Sequence, residues 1–175
     1  PKHARAAAAI GCGADIVFEL PFVYATSSAE FFASGAIALL NSFKKIDFLV
    51  FGIESSDISA LSAAAELLIK EPPEFKAVLN SCLTSGMSFP AALGQAYSAC
   101  SGTNAIFTPN NTLAIEYIKA IKKMSSDIQP VAVQRSGLGY NDINYSKAGG
   151  HISASAFRTT TENIIKSGHF LSNNS

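Results

Sequence analysis

A chain of 175 residues, 48% hydrophobic and 15% charged, can bury one sizeable core and lies far from disordered composition. Its 13 basic and 13 acidic residues cancel, so any basic footprint for a nucleic acid must be local. Cys12, Cys82 and Cys100 lack CxxC spacing, which points to free thiols in a reducing cytosol rather than zinc or disulfides, and no apolar run reaches the roughly 20 residues of a membrane span.

Residues 4–10 favour helix, stopped by Gly11 and Gly13. Residues 15–20, closed by Pro21, read as a short buried strand. Ser27, Ser28, Ala29 and Glu30 have capping-box spacing, and Phe31, Phe32, Gly35, Leu39 and Phe43 then mark one apolar helical face. Residues 46–51 form a second apolar strand ending at Gly52. Asp57 is expected to cap a helix with Ile58, Leu61, Ala65 and Leu68 on its stripe, broken at Pro72 and Pro73. Residues 74–100 read as two helices divided at Ser85-Gly86 and restarted near Pro90. A further helix covers about 112–123, and residues 129–134 form a third strand. Residues 136–150 read as a loop, Ser153 or Ser155 opens a last helix, and residues 171–175 read as a frayed end.

Short apolar strands alternating with helices argue for an α/β fold, a parallel sheet covered on both faces. Ligands of such sheets bind outside the carboxyl ends of the strands, which directs attention to Gly52, Glu54 and Arg135. Gly52 either lets a ligand approach bare backbone or simply turns the chain after a strand. Of Asn110 and Asn111, one can cap a helix while the other offers an amide to a ligand, although capping alone would account for either. Arg135 suits a phosphate through its forked donors, or stands in solvent. Ser153 and Ser155 at a helix start, followed by Arg158, can build an anion site or an ordinary cap. His3, His151 and His169 show no metal spacing, and Lys44-Lys45 and Lys122-Lys123 read as solvated helix ends.

Several motifs occur in a specific order. They are His3-Ala4-Arg5, the run from Gly13 to Pro21, Ala29-Glu30 with Phe32-Ala33 and Gly35-Ala36, and Phe51-Gly52 with Glu54. There follow Ser88-Phe89-Pro90, Pro109-Asn110-Asn111 with Leu113, Glu116 and Tyr117, and finally residues 152–156 with Arg158. This succession, over about residues 3–170, resembles the bacterial tRNA(Met) cytidine acetate ligase family of the HIGH-type nucleotidyltransferase superfamily. The resemblance implies a Rossmann-like fold with a helical insertion at about 57–105. It also implies an ATP-dependent ligase that makes acetyl-adenylate and acetylates N4 of the wobble cytidine of elongator tRNA(Met) in the cytoplasm.

On that resemblance Gly52, Asn110 or Asn111, and Arg135 match ATP-contacting positions, and Ser153, Ser155 and Arg158 match a phosphate site. ATP, acetate and tRNA are the implied partners, with Mg2+ expected alongside ATP but no identifiable protein ligand for it. Phe157 departs from the smaller aliphatic residue expected before the arginine. The family's His-x-Gly-His loop does not occur in the chain. With no starting methionine and a helix from the first residues, the reading is of a carboxy-terminal portion whose first strands lie upstream of Pro1, inactive by itself. Two other readings compete: a nucleotidyltransferase adenylylating a small cofactor precursor, which the helical insertion disfavours, and a non-catalytic RNA-binding relic.

Overall fold

Capping residues and prolines partition the chain in the computed structural model, which describes residues 2–54, 57–102 and 107–134. In order these are α1 (Lys2–Gly11), α2 (Phe22–Ala25), α3 (Ala29–Ser42), β1 (Phe48–Ile53) and α4 (Ile58–Lys70). They continue with α5 (Pro73–Thr84), α6 (Phe89–Ser101), α7 (Pro109–Lys123) and β2 (Gln129–Gln134). As expected, the Asp57 side chain accepts from the Ser59 N–H at 2.8 Å and starts α4. That helix ends at Glu71 in a left-handed conformation, just before Pro72. Pro73 opens α5, Pro90 lies in the first turn of α6, and Gly102 closes α6 at φ 68°.

The two strands pair in parallel, with Phe48 opposite Gln129 and Ile53 opposite Gln134. Helix α7 lies beneath them and packs on α3 and α4 as well. It contributes Ala114, Ile115 and Ile118 to one core cluster, where Ile53, Leu61, Ala64, Ala65, Leu68, Phe75, Ala96 and Tyr97 meet them. One turn further on, Ala120 and Ile121 join Ile37 and Ile128 in a second cluster. Helix α7 is the element that the two clusters share.

Three expectations need correction. Residues 15–20 form no strand, because no other strand lies beside them among the described residues. Their side chains stay largely exposed, Ile16 to 66%, and Phe18 packs instead on Phe43 at 4.5 Å between ring centres. Among the described residues the sheet is covered on one face only: Phe48, Val50, Val131 and Val133 are exposed on the other. Nor does a capping box form at α3. Ser27 Oγ donates backwards to the Val23 carbonyl at 2.6 Å, and the N-cap Ser28 makes no side-chain capping bond among the described residues.

Glu30 is diverted by a stronger partner. Lys119 of α7 is buried, with its Nζ 2.8 Å from Glu116 Oε2, 2.9 Å from Glu116 Oε1 and 3.2 Å from Glu30 Oε1. Lys123 adds a contact of 3.6 Å to the same Glu30 oxygen. A buried ammonium needs its hydrogens matched, and two carboxylates from different elements do so here. The network thereby ties α3 to α7. Partial burial alone would raise the Glu30 carboxyl, but Lys119 and then Lys123 outweigh it and hold the group below its ordinary 4.5.

This packing can be tested by stability. A Cβ on Gly35 would run into the Tyr24 ring at Cγ and lie 2.6 and 2.7 Å from its Cδ1 and Cβ. Gly35→Ala should therefore cost about 1–3 kcal/mol in urea unfolding, and Tyr24→Ala in the same chain should relieve most of it. A second test uses acid. A carboxyl lowered by folding stabilises fully above the unfolded value and loses that contribution as pH falls through the folded one. The urea midpoint should thus drop as pH is lowered below about 4.5, and Glu30→Gln should flatten that drop. An unchanged acid limb in Glu30→Gln would refute the assignment.

Candidate nucleotide site

Strand alternation decides what the end of β1 presents. Ile53 is 2% exposed and faces the core, so Gly52 faces outward, beside Val133 of β2. Gly52 itself is exposed and has no side chain to shield its backbone. Immediately beyond, Glu54 meets the start of α7 through two hydrogen bonds. Its main-chain N–H donates to Asn111 Oδ1 at 3.0 Å, and its Oε1 accepts from Asn110 Nδ2 at 2.6 Å. These bonds close a loop of more than fifty residues and set the amino end of α7 against the carboxyl end of β1.

The asparagines are not caps. Thr108 is the N-cap and Pro109 is the first helical residue, so Asn110 and Asn111 belong to the first turn. The Thr108 side chain makes no capping bond, and among the described residues its buried Oγ1 has no partner. First-turn amides of a helix carry partial positive charge, and here they lie at the strand end. Asn111 is 1% exposed with its carboxamide turned to the strand, while Asn110 is half-buried.

Of the residues expected at a site, Asn110 and Asn111 are brought together on Glu54, two residues beyond Gly52. Arg135, Ser153, Ser155 and Arg158 lie outside the described residues. Arg135 follows Gln134, which pairs with Ile53. Glu54 stands out as a position after a strand, but its two partners are over fifty residues away and no local pattern announces them. Lys119 is not among the residues the sequence pattern singles out; its spacing of three from Glu116 is the signal that could have found it. A separate cavity of about 450 Å³ is lined by Phe75, Phe89, Leu93, Glu116 and Lys119 among others. Among the described residues no group of His, Cys, Asp and Glu could hold a metal ion, and no helix is long and apolar enough to cross a membrane.

The chain as a whole has relatives among known proteins. A profile described as HIGH Nucleotidyl Transferase matches residues 1–173. A protein of Caldicellulosiruptor bescii named tRNA(Met) cytidine acetate ligase is 45% identical over 163 residues, which is 93% of this chain and 40% of that protein. The apo crystal structure of Thermotoga maritima TmcAL matches with a TM-score of 0.82 at 34% identity, over 91% of this chain and 39% of that one. The same protein bound with alpha-thio ATP matches with a TM-score of 0.77 at 32% identity, over 96% and 39%. The chain therefore spans well under half the length of the relatives it matches.

Asn111→Ala would leave the Glu54 N–H without its acceptor in a partly buried position. We expect a loss of about 1–3 kcal/mol in urea unfolding. Asn110→Ala should cost less, because water can replace the amide at the half-exposed Glu54 carboxylate. Equal losses would show that the two asparagines do not divide as their burial indicates.

Proposed function

The chain belongs to the HIGH Nucleotidyl Transferase family, and from that premise we propose that it forms the nucleotide-binding part of an ATP-dependent tRNA acetate ligase. The observation that carries the reading is the end of β1, where exposed Gly52 is followed by Glu54 bonded to the amino end of α7, in a chain superposing on a relative bound with alpha-thio ATP. Relatives named tRNA(Met) cytidine acetate ligase supply the reaction. An acetate oxygen attacks the α-phosphorus of ATP and pyrophosphate leaves, giving acetyl-adenylate. The exocyclic amine of the wobble cytidine of elongator tRNA(Met) then attacks the acetyl carbon, a proton is lost from nitrogen, and AMP leaves.

In this reading Gly52 admits the nucleotide to the strand end, and Asn110 and Asn111 shape its polar edge. The first-turn amides of α7, set at the end of β1 by the Glu54 bonds, offer further hydrogen-bonding groups to its polar edge. Arg135 meets a phosphate, a role its position after Gln134 supports, since β1 and β2 end side by side. Ser153, Ser155 and Arg158 complete the phosphate contacts. Mg2+ accompanies the triphosphate, and the reaction takes place in the cytoplasm, where tRNA, ATP and acetate meet. Helices α4, α5 and α6 form the helical insertion between β1 and α7.

The test is acetate-dependent exchange of pyrophosphate into ATP, measured in the longest natural form of the protein. Arg135→Ala should weaken ATP use by about 1.5–3 kcal/mol, the worth of a charge-assisted hydrogen bond. Arg135→Lys should recover only part of that, because the forked geometry is lost. Exchange unchanged in both variants would remove Arg135 from the site. Absence of acetate-dependent exchange in the unmodified protein would overturn the function itself.

A further inference from the structure

We propose that Glu54 is a positioning residue for the nucleotide, fixing which way the Asn110 carboxamide faces; this rests on the ATP reading above. A carboxylate can only accept hydrogen bonds, whereas a carboxamide offers an acceptor on one side and donors on the other. With Glu54 Oε1 at 2.6 Å from Asn110 Nδ2, the amide nitrogen is committed to the carboxylate. The Asn110 carbonyl oxygen is then held on the other side of the group. Asn111 secures the arrangement from the helix side, because its Oδ1 holds the Glu54 main-chain N–H at 3.0 Å and it is itself 1% exposed. The Glu54 backbone thus cannot move without breaking this partly buried bond, and Asn110 cannot flip without placing its oxygen against a carboxylate.

A carboxylate placed close to a triphosphate is costly for binding, since like charges repel. Its presence at the end of β1 therefore calls for a compensating contribution, and orienting Asn110 supplies one. This separates two explanations. If Glu54 is only a nearby charge, Glu54→Gln should bind ATP more tightly, because one negative charge is gone. If Glu54 orients Asn110, the neutral amide introduced by Glu54→Gln no longer dictates the direction of Asn110, and ATP should bind less tightly.

The experiment uses the longest natural form of the protein with three variants: Glu54→Gln, Asn110→Asp, and the two together. ATP affinity is read by calorimetry, KM and kcat by pyrophosphate exchange, and stability by thermal unfolding. We expect Glu54→Gln to weaken ATP binding about tenfold or more, the range for a charged hydrogen bond. The loss should appear in KM with kcat little changed and with nearly wild-type unfolding. Asn110→Asp alone sets two carboxylates against each other and should lose thermal stability; the double variant restores one amide–carboxylate pair with its polarity reversed, so it should regain that stability without regaining ATP affinity. Rescue of both would show that the pair only holds α7 to β1, and would overturn the proposal. Unchanged or tighter ATP binding by Glu54→Gln would overturn it as well. A wild-type protein that binds no ATP would instead defeat the functional reading on which it rests.

Discussion

One hydrogen bond, from the Glu54 main chain to the Asn111 side chain, fixes the relation between strand and helix on which the site depends. A side-chain amide buried to 1% exposure must be satisfied, and its choice of partner is therefore structural information. Among the described residues its oxygen takes the first peptide beyond β1. The bond determines how far the strand advances over the helix before the chain turns away. Without it, apolar packing of Phe51 and Ile53 would still hold the two elements together, but such contacts are non-directional and tolerate sliding. The polar bond sets the position that the apolar contacts leave open.

Helix α7 answers several demands at once because its residues fall on separate faces. Ala114, Ile115 and Ile118 turn to the α4 core, Tyr117 stacks on Phe51 at 5.7 Å, and Glu116, Lys119 and Lys123 form another stripe. That charged stripe would be unfavourable to bury unpaired. Glu30 reaches it from α3, and Lys122 finds Glu66 of α4 at 2.8 Å. The buried network and the exposed pair differ in worth. Lys119 is largely withdrawn from water and its loss would strand Glu116, whereas the Lys122 pair stands half in solvent, where such pairs contribute little.

Much of the fold is legible in the sequence because its signals are local. Asp57 capping α4, the break at Pro72-Pro73, Pro90 in the first turn of α6, and the strand at 129–134 all depend on residues within a few positions of one another. The failures share a different cause. Residues 15–20 have strand composition, but a strand is defined by its neighbour, and composition does not supply one. Ser27 and Glu30 have the spacing of a capping box, yet a buried lysine on a distant helix draws the carboxylate away from the local amide. The Asn110-Asn111 pair is conspicuous in the sequence, but its bonding to Glu54 is non-local. Sequence pattern locates the residues; which of their hydrogen-bonding atoms remain available for a ligand is decided only by how β1 and α7 meet.

A glycine can serve at position 52 without weakening the sheet because its neighbours hold the register. Side chains of a strand alternate, so one residue of slippage would turn Gly52 inward and Ile53 outward. Slippage is resisted from two sides. Inward, Ile53 is enclosed by the α4 and α7 core. Ahead, the Glu54 peptide is held by Asn111. The parallel pairing with β2 then transmits this register, placing Val133 beside Gly52 and Gln134 beside Ile53. Bare backbone is thus presented on the outward face at the level where α7 begins. A glycine alone would leave that strand end loose; a glycine followed by an anchored isoleucine and a latched glutamate presents it in one place.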